Sequence, residues 1–443
     1  MEASCCDREG RWQSAGSCDR RVRQQAEAPL ADAGTTMRGR SNDLSRGTNQ
    51  SGVRLYNERL VLSLVRRHGS LPKADIARMT GLSPQTISII ANQLEADGLL
   101  RREAVVRGRV GQPSVPYSLN PQGAYSVGLK IGRRSADLSL INFTGEVQHF
   151  LHQTYAYPTP AAIRAFTETG LAELQSGLSP EALRRIAGLG IASPYEMWTW
   201  PEEIGAPRED IDAWREVDIR AELAAICPWP VYFYNDITAA CAAELMFGRG
   251  ADYVDYLYVF IGSFIGGGLV FGGHLFPGRT NNAGALGSMP SSLPATGSRL
   301  PQLMNVASIY VLERELIRQG RRAEVLWQSP DDWGDDLGPT LDNWIDQVAR
   351  HLAHAVSAAV AVVDVETVVV DGAFPPSVRT RIIEATRAAL AEVNRQGLSP
   401  FTLVEGSLGT SARALGGAAI PLLANFTQDR EVLFKDNPFS SRR

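Results

Sequence analysis

Lys73–Leu100 reads KADIARMTGLSPQTISIIANQLEADGLL, with Arg107-Gly108-Arg109 a few residues further on. Ile76, Ala77 and Met79 are the apolar members of a short helix over Lys73–Thr80, and Gly81 supplies the tight turn that ends it. Ser83 is a side-chain N-cap, and Pro84 takes the first helical position, where its missing N–H costs nothing. Ile87, Ile90, Ala91 and Leu94 then fall at i, i+3, i+4 and i+7, which makes one buried stripe. The opposite side carries Gln85, Thr86, Ser88 and Asn92, short polar groups able to contact base edges and phosphates in a major groove.

The pattern extends to both sides of this stretch. Upstream, Leu60, Val61, Leu64 and Val65 are at helical spacing, in a first helix that ends near His68-Gly69. Downstream, Leu100–Val106 reads as a strand, Gly108 and Gly111 permit a turn, and Tyr117–Leu119 returns. The hairpin tip carries Arg107 and Arg109, and two guanidinium groups flanking a glycine suit the negative potential of a narrow minor groove. Residues 51–119 are therefore expected to form a winged helix-turn-helix with double-stranded DNA as its partner, and Asn120-Pro121 is expected to close it and begin a linker. Charge agrees: residues 1–120 hold 18 Lys+Arg against 12 Asp+Glu, whereas the rest holds 26 against 36.

The chain has 443 residues, 44% hydrophobic and 21% charged, enough for two or three domains with sizeable cores. No apolar run approaches the ~18 residues of a membrane span, and Met1–Gly10 is too polar for a signal peptide, so a cytoplasmic protein is expected. Residues 1–50 lack hydrophobic periodicity and are expected to be disordered, with Met37 as a second possible start. Cys5, Cys6 and Cys18 fall in that tail, Cys227 and Cys241 stand apart, and no Cys-x-x-Cys occurs, so neither a structural zinc nor a disulfide framework is expected. His149 and His152, like His351 and His354, are three apart with no carboxylate or cysteine pattern beside them, and read as packing or surface residues.

From Ala124 the period changes to that of strands. Tyr125–Ile131 is a buried strand, Gly132-Arg133-Arg134-Ser135 a turn, and Ala136, Leu138 and Leu140 alternate along a returning strand. The plan recurs at Tyr256–Ile261, Gly262–Gly268 and Leu269–Phe271, with further strand-turn units at Thr367–Gly372 and Phe401–Leu408 and an amphipathic helix over Leu341–Val363. Two homologous α/β lobes facing a cleft are expected.

Over residues 50–425 the chain resembles the ROK family (repressor, open reading frame, kinase). The resemblance rests on Gly128–Ser135, on Asn235-Asp236 followed by Ala239, Ala240 and Glu244, on Gly262–Gly268, and on Ala414–Ala419. It implies an α/β fold: an N-terminal winged helix-turn-helix followed by a two-lobed actin/hexokinase-like (ribonuclease H-like) ATPase-type domain. The first lobe would span 124–245, completed by a C-terminal helix over 411–425, and the second lobe 246–410. It further implies a sugar or sugar derivative bound by Asn235 and Asp236, and a homodimer or homotetramer meeting a palindromic operator.

The chain departs from the family's kinases at several positions. Lys130 stands where they carry an acidic residue that helps to hold the metal-bound nucleotide, Arg133 breaks the following glycine pair, and Phe264 replaces a small residue. Asn282–Met289 occupies the place of a Gly-Glu-Ile-Gly-His pattern, with Ala285 for its sugar-contacting Glu and Ser288 for its zinc-binding His. Another sugar-contacting Glu is replaced near Met304. No metal, no cofactor and no catalytic residue is therefore expected, and the resemblance points to a sugar-responsive repressor of carbohydrate-utilisation genes. The alternative on the same resemblance is an ATP-dependent sugar kinase of glucokinase or fructokinase type with an accessory DNA-binding module, Asp236 being its general base. A structural role for Asp236 would be to cap the helix beginning at Ile237.

Overall fold

The computed structural model describes residues 50–105, 114–199, 204–291, 301–334 and 337–428. Helices α1 (Gln50–His68), α2 (Lys73–Thr80) and α3 (Pro84–Ala96) open the described chain. The local signals act as their chemistry dictates. Gly81 takes the left-handed conformation at φ 70°, and Ser83 accepts a hydrogen bond from the Thr86 backbone N–H at 3.1 Å. Strands β1 (Ser70–Pro72), β2 (Leu100–Arg102) and β3 (Pro116–Leu119) form an antiparallel sheet in the order β1-β3-β2. The strand expected over Leu100–Val106 ends at Arg102, and β1 is an addition that carries the chain from α1 to α2.

Two five-stranded sheets of one plan follow. The first contains β4 (Tyr125–Ile131), β5 (Ser135–Asn142), β6 (Val147–Thr154), β7 (Ile186–Ser193) and β8 (Val231–Asn235), in the order β6-β5-β4-β7-β8. The second contains β9 (Tyr256–Ile261), β10 (Ile265–Phe271), β11 (His274–Phe276), β12 (Thr367–Gly372) and β13 (Thr402–Glu405), in the order β11-β10-β9-β12-β13. In each, the first strand is central, short turns lead outward through antiparallel neighbours, and helical crossovers supply two parallel strands on the other side. Every residue of β9 is buried, as a central strand covered on both faces requires.

The longer helices of this part are α4 (Pro160–Gly177), α5 (Asp236–Phe247), α6 (Ile309–Arg318), α7 (Gly338–Val363), α8 (Pro376–Glu392) and α9 (Ser411–Phe426). Helix α9 returns to the first sheet and packs against α5, β4 and β7. The seam admits no side chain: a Cβ on Gly190 would lie 2.0 Å from the Gly417 carbonyl oxygen, and one on Gly128 2.3 Å from the Ala418 nitrogen. Of the glycines in Ala414–Ala419, Gly417 is thus explained by close helix-on-strand approach and Gly416 by close approach to α5, where a Cβ would lie 2.6 Å from the Ala239 carbonyl carbon.

Asn120-Pro121 does not begin a linker. Asn120 Nδ2 donates to the Gly98 carbonyl at 2.7 Å, the Phe143 N–H donates to the Pro121 carbonyl at 3.1 Å, and β4 starts at Tyr125. One apolar cluster runs from Val61, Ile76 and Leu94 through Leu119, Ile141 and Phe143 to Met246 and Leu422. The winged helix is joined to the body by a shared core. Among the described residues no helix is long and apolar enough to cross a membrane.

Candidate DNA-binding face and interlobe cleft

On α3, Gln85 and Asn92 are exposed and Thr86 and Ser88 half-buried. Their free chemistry differs. The Thr86 hydroxyl is 2.8 Å from the Ser83 hydroxyl and so takes part in the cap. Asn92 Oδ1 accepts from Lys73 Nζ at 2.8 Å, and that ammonium also lies 5.3 Å from the Tyr117 ring centroid. Lys73, on α2, is a member of this face that the helical pattern did not reveal, because its meeting with Asn92 is tertiary. At the base of the hairpin Arg102 pairs with Glu95 at 2.8 Å and Arg101 with Glu103 at 3.1 Å. Arg107 and Arg109 lie outside the described residues.

The cleft between the two sheets opens to solvent and is lined from both lobes, by Gly132 of the first turn and Gly266 of the second sheet among others. Asn235 and Asp236 line it together with Arg133, Phe264, Ser288 and Arg413. Asn235 ends β8 and is the N-cap of α5: its Oδ1 accepts from the Ile237 N–H at 3.0 Å and the Thr238 N–H at 3.3 Å. The cap is therefore one residue earlier than the capping role considered for Asp236. With its oxygen so engaged, Asn235 has its amide NH2 to offer a ligand. Asp236 is the first residue of α5 and is buried. Burial pushes its carboxyl above the usual range, against the pull of Arg413, 3.8 Å away, and of Lys130.

The first turn, between β4 and β5, is built from ion pairs. Lys130 Nζ is 2.8 Å from Asp137 Oδ2, and Asp137 Oδ1 is 2.5 Å from His152 Nδ1. Burial alone would raise the Asp137 carboxyl, but the Lys130 ammonium and its hydrogen bond hold it below the usual range. Arg133 pairs with Glu313 on α6, and Arg134 reaches the same carboxylate at 3.3 Å, so this turn ties the first sheet's lobe to a helix of the second. The turn presents the Lys130 ammonium where the resemblance puts a metal-binding carboxylate, and both of its arginines are tied to Glu313.

The second turn is apolar. Phe264 meets Tyr310 edge-on, with ring centroids 5.5 Å apart. The glycines after it belong to β10, and none has positive φ. A Cβ on Gly266 would be 2.8 Å from the Ile237 side chain, and one on Gly268 2.6 Å from Cys241 Cβ. Their smallness lets α5 lie on the strand. Glu244 is buried near the end of α5, where it accepts from Ser407 Oγ at 2.8 Å and from the Arg249 N–H at 3.0 Å. Ala285 and Met304 also line the cleft. His149 pairs with Glu173 and His152 with Asp137, while His351 bonds to Ser291 Oγ at 2.9 Å and His354 is exposed, so neither histidine pair converges on one point.

The cleft and the winged helix are linked by two helices. Helix α5 starts at Asp236 in the cleft and ends at Phe247, and Arg66 of α1 lies 5.8 Å from that ring and 4.8 Å from the ring of Phe143. Arg66 also donates to the Phe143 carbonyl at 2.8 Å, and burial pulls its pKa down to about 10. Helix α9 carries Arg413 in its first turn, and at its far end Thr427 accepts from Arg59 at 3.4 Å while the Gln428 N–H donates to Ser63 at 3.3 Å.

A winged helix on a two-lobed, duplicated α/β body is an architecture that known families share. Residues 126–299 match the ROK family and residues 56–109 the MarR family. The chain thus carries a ROK family domain behind a MarR-type winged helix. The xylose repressor of Bacillus spizizenii is 21% identical over 381 residues, covering 84% of this chain and 96% of that one. The crystal structure of a ROK family transcriptional regulator, a homologue of the Escherichia coli MLC protein, matches with a TM-score of 0.59 at 20% identity over 86% of this chain and 99% of that one. A ROK family glucokinase from Streptomyces griseus, solved with glucose and AMPPNP, matches with a TM-score of 0.51 at 19% identity over 67% of this chain and 99% of that one.

Proposed function

We propose that this chain is a sugar-responsive, DNA-binding transcriptional regulator, a repressor of carbohydrate-utilisation genes, acting in the cytoplasm. The observation that carries this reading is the continuous core: α5 and α9 each have one end in the cleft and the other against α1. At 1.5 Å per residue the 16 residues of α9 span roughly 24 Å, so a shift at Arg413 has a short route to the winged helix. Asn235 and Asp236 grip hydroxyl groups of the sugar. Ligand acts only through its different affinity for two arrangements of the lobes, which present the winged helices of a dimer or tetramer differently to a palindromic operator. Gln85, Thr86, Ser88 and Asn92 meet the major groove, with Thr86 and Asn92 limited by their bonds to Ser83 and Lys73. Arg107 and Arg109 enter the minor groove. Arg107→Ala with Arg109→Ala should weaken operator binding by tenfold or more and flatten its salt dependence; binding unchanged at every salt concentration would remove the wing from this reading.

A second reading, a sugar kinase, is favoured by Asp236, a buried carboxyl in the cleft whose pKa is raised as a general base requires. Against it stand Lys130 and the arginines tied to Glu313. A coupled ATPase assay over a panel of hexoses separates the two. No turnover is expected; robust turnover abolished by Asp236→Asn would establish the kinase.

A further inference from the structure

Gln85, Ile89 and Asn92 fall at i, i+4 and i+7 on α3, directly opposite the buried stripe of Ile87, Ile90, Ala91 and Leu94. At the centre of that outer row, Ile89 is 62% exposed and belongs to none of the apolar clusters of the described residues. A branched apolar side chain there loses rotamer freedom in the helix and gains no burial, so the fold itself does not call for it. Its neighbour Asn92 is constrained in the opposite sense. Its Oδ1 accepts from the Lys73 ammonium at 2.8 Å, which leaves one of its two lone pairs for a base. The row thus presents an apolar tip between two amide side chains, and A·T pairs display one apolar group in the major groove, the thymine C5-methyl.

We infer that Ile89 is a specificity-determining residue of the DNA-binding face, and that it reads a thymine methyl group close to the base contacted by Gln85. Ile89 is one helical turn from Gln85, an axial rise of about 6 Å, so the two side chains reach base pairs one or two steps apart.

The inference rests on the DNA-binding reading, and its test can fail separately from it. Duplexes are enriched from a random pool by the full chain, and each thymine of the winning site is then replaced singly by deoxyuridine, which removes only the methyl. One thymine per half-site should lose about fourfold in affinity on replacement, the effect of about 0.8 kcal/mol for one buried methyl. Ile89→Ala should bind the thymine and deoxyuridine forms equally, and Ile89→Val should keep the discrimination. Ile89 is exposed, so neither variant disturbs the core. If no duplex is enriched, the DNA-binding reading fails. If duplexes are enriched but tolerate deoxyuridine everywhere, or Ile89→Ala keeps the discrimination, the assignment to Ile89 is overturned.

Discussion

Gly132–Arg134 and Gly262–Phe264 join the first two strands of two sheets that share one strand order. The first turn carries two arginines tied across the cleft to Glu313; the second ends in Phe264, packed edge-on against Tyr310. The same backbone plan tolerates both because it is set elsewhere, by the buried faces of β4 and β9 and by the glycine seams that let α9 and α5 lie close on the strands. Nothing at either turn has to meet a nucleotide for the sheets to form. In the first turn charge holds one lobe against the other, and in the second apolar contact does the packing.

Substitutions at the seams, the turns and the joint to the winged helix separate these contributions. The largest effect is expected at Gly190→Ala. The new Cβ would be 2.0 Å from a backbone oxygen that cannot swing away, and should cost about 3 kcal/mol or more in urea denaturation. Gly266→Ala in the second sheet meets only the Ile237 side chain at 2.8 Å and should cost about 1 kcal/mol. Equal costs would mean that the two seams are not built differently.

Glu313→Gln tests the charged turn. It leaves Arg133, whose side chain is only 11% exposed, without its carboxylate, and should cost about 2 kcal/mol and increase protease cleavage between the lobes. An unchanged melting curve and digest would show that the ion pairs do not hold the lobes.

Arg66→Met asks whether the comparison extends to the winged helix. It keeps the apolar stem and removes the bond to Phe143 together with the ring contacts, at a cost of about 1 kcal/mol. DNA binding should persist while its response to sugar is lost; a full response would place the coupling elsewhere.

The smallest effect is a pH dependence. Burial raises the Asp236 carboxyl in the folded chain, so above its unfolded pKa the unfolded state ionises first and stability is lost as pH rises toward the folded value. Asp236→Asn should therefore raise the melting temperature by a few degrees at neutral pH, with the gain fading as the pH falls toward 4. A gain of the same size at every pH would have another cause.

The helix-turn-helix was legible because its signals are local. Ser83-Pro84 and Gly81 fix their helix ends within a few residues of chain. Strand β1 was not, since three residues ending in Pro72 carry no period, and β6 was not, since Gln148, His149 and His152 on a half-exposed edge strand hide its alternation. Asn235 and Asp236 are adjacent residues that can both cap a helix, and this leaves a one-residue ambiguity that only the backbone resolves. The ties of Arg133 and Arg134 to Glu313 span about 180 residues of chain, and no spacing rule foretells them.

The joint at Asn120-Pro121 bears on how such a regulator can be taken apart. A cut there would leave an apolar scar on both pieces, with Leu119 and Val65 on one side and Ile141, Phe143 and Met246 on the other. The DNA-binding module is therefore not a portable cassette. A winged helix transplanted from another regulator would need its own counterpart to Arg66, shaped to sit between the rings of Phe143 and Phe247, to seat on this body as the native one does.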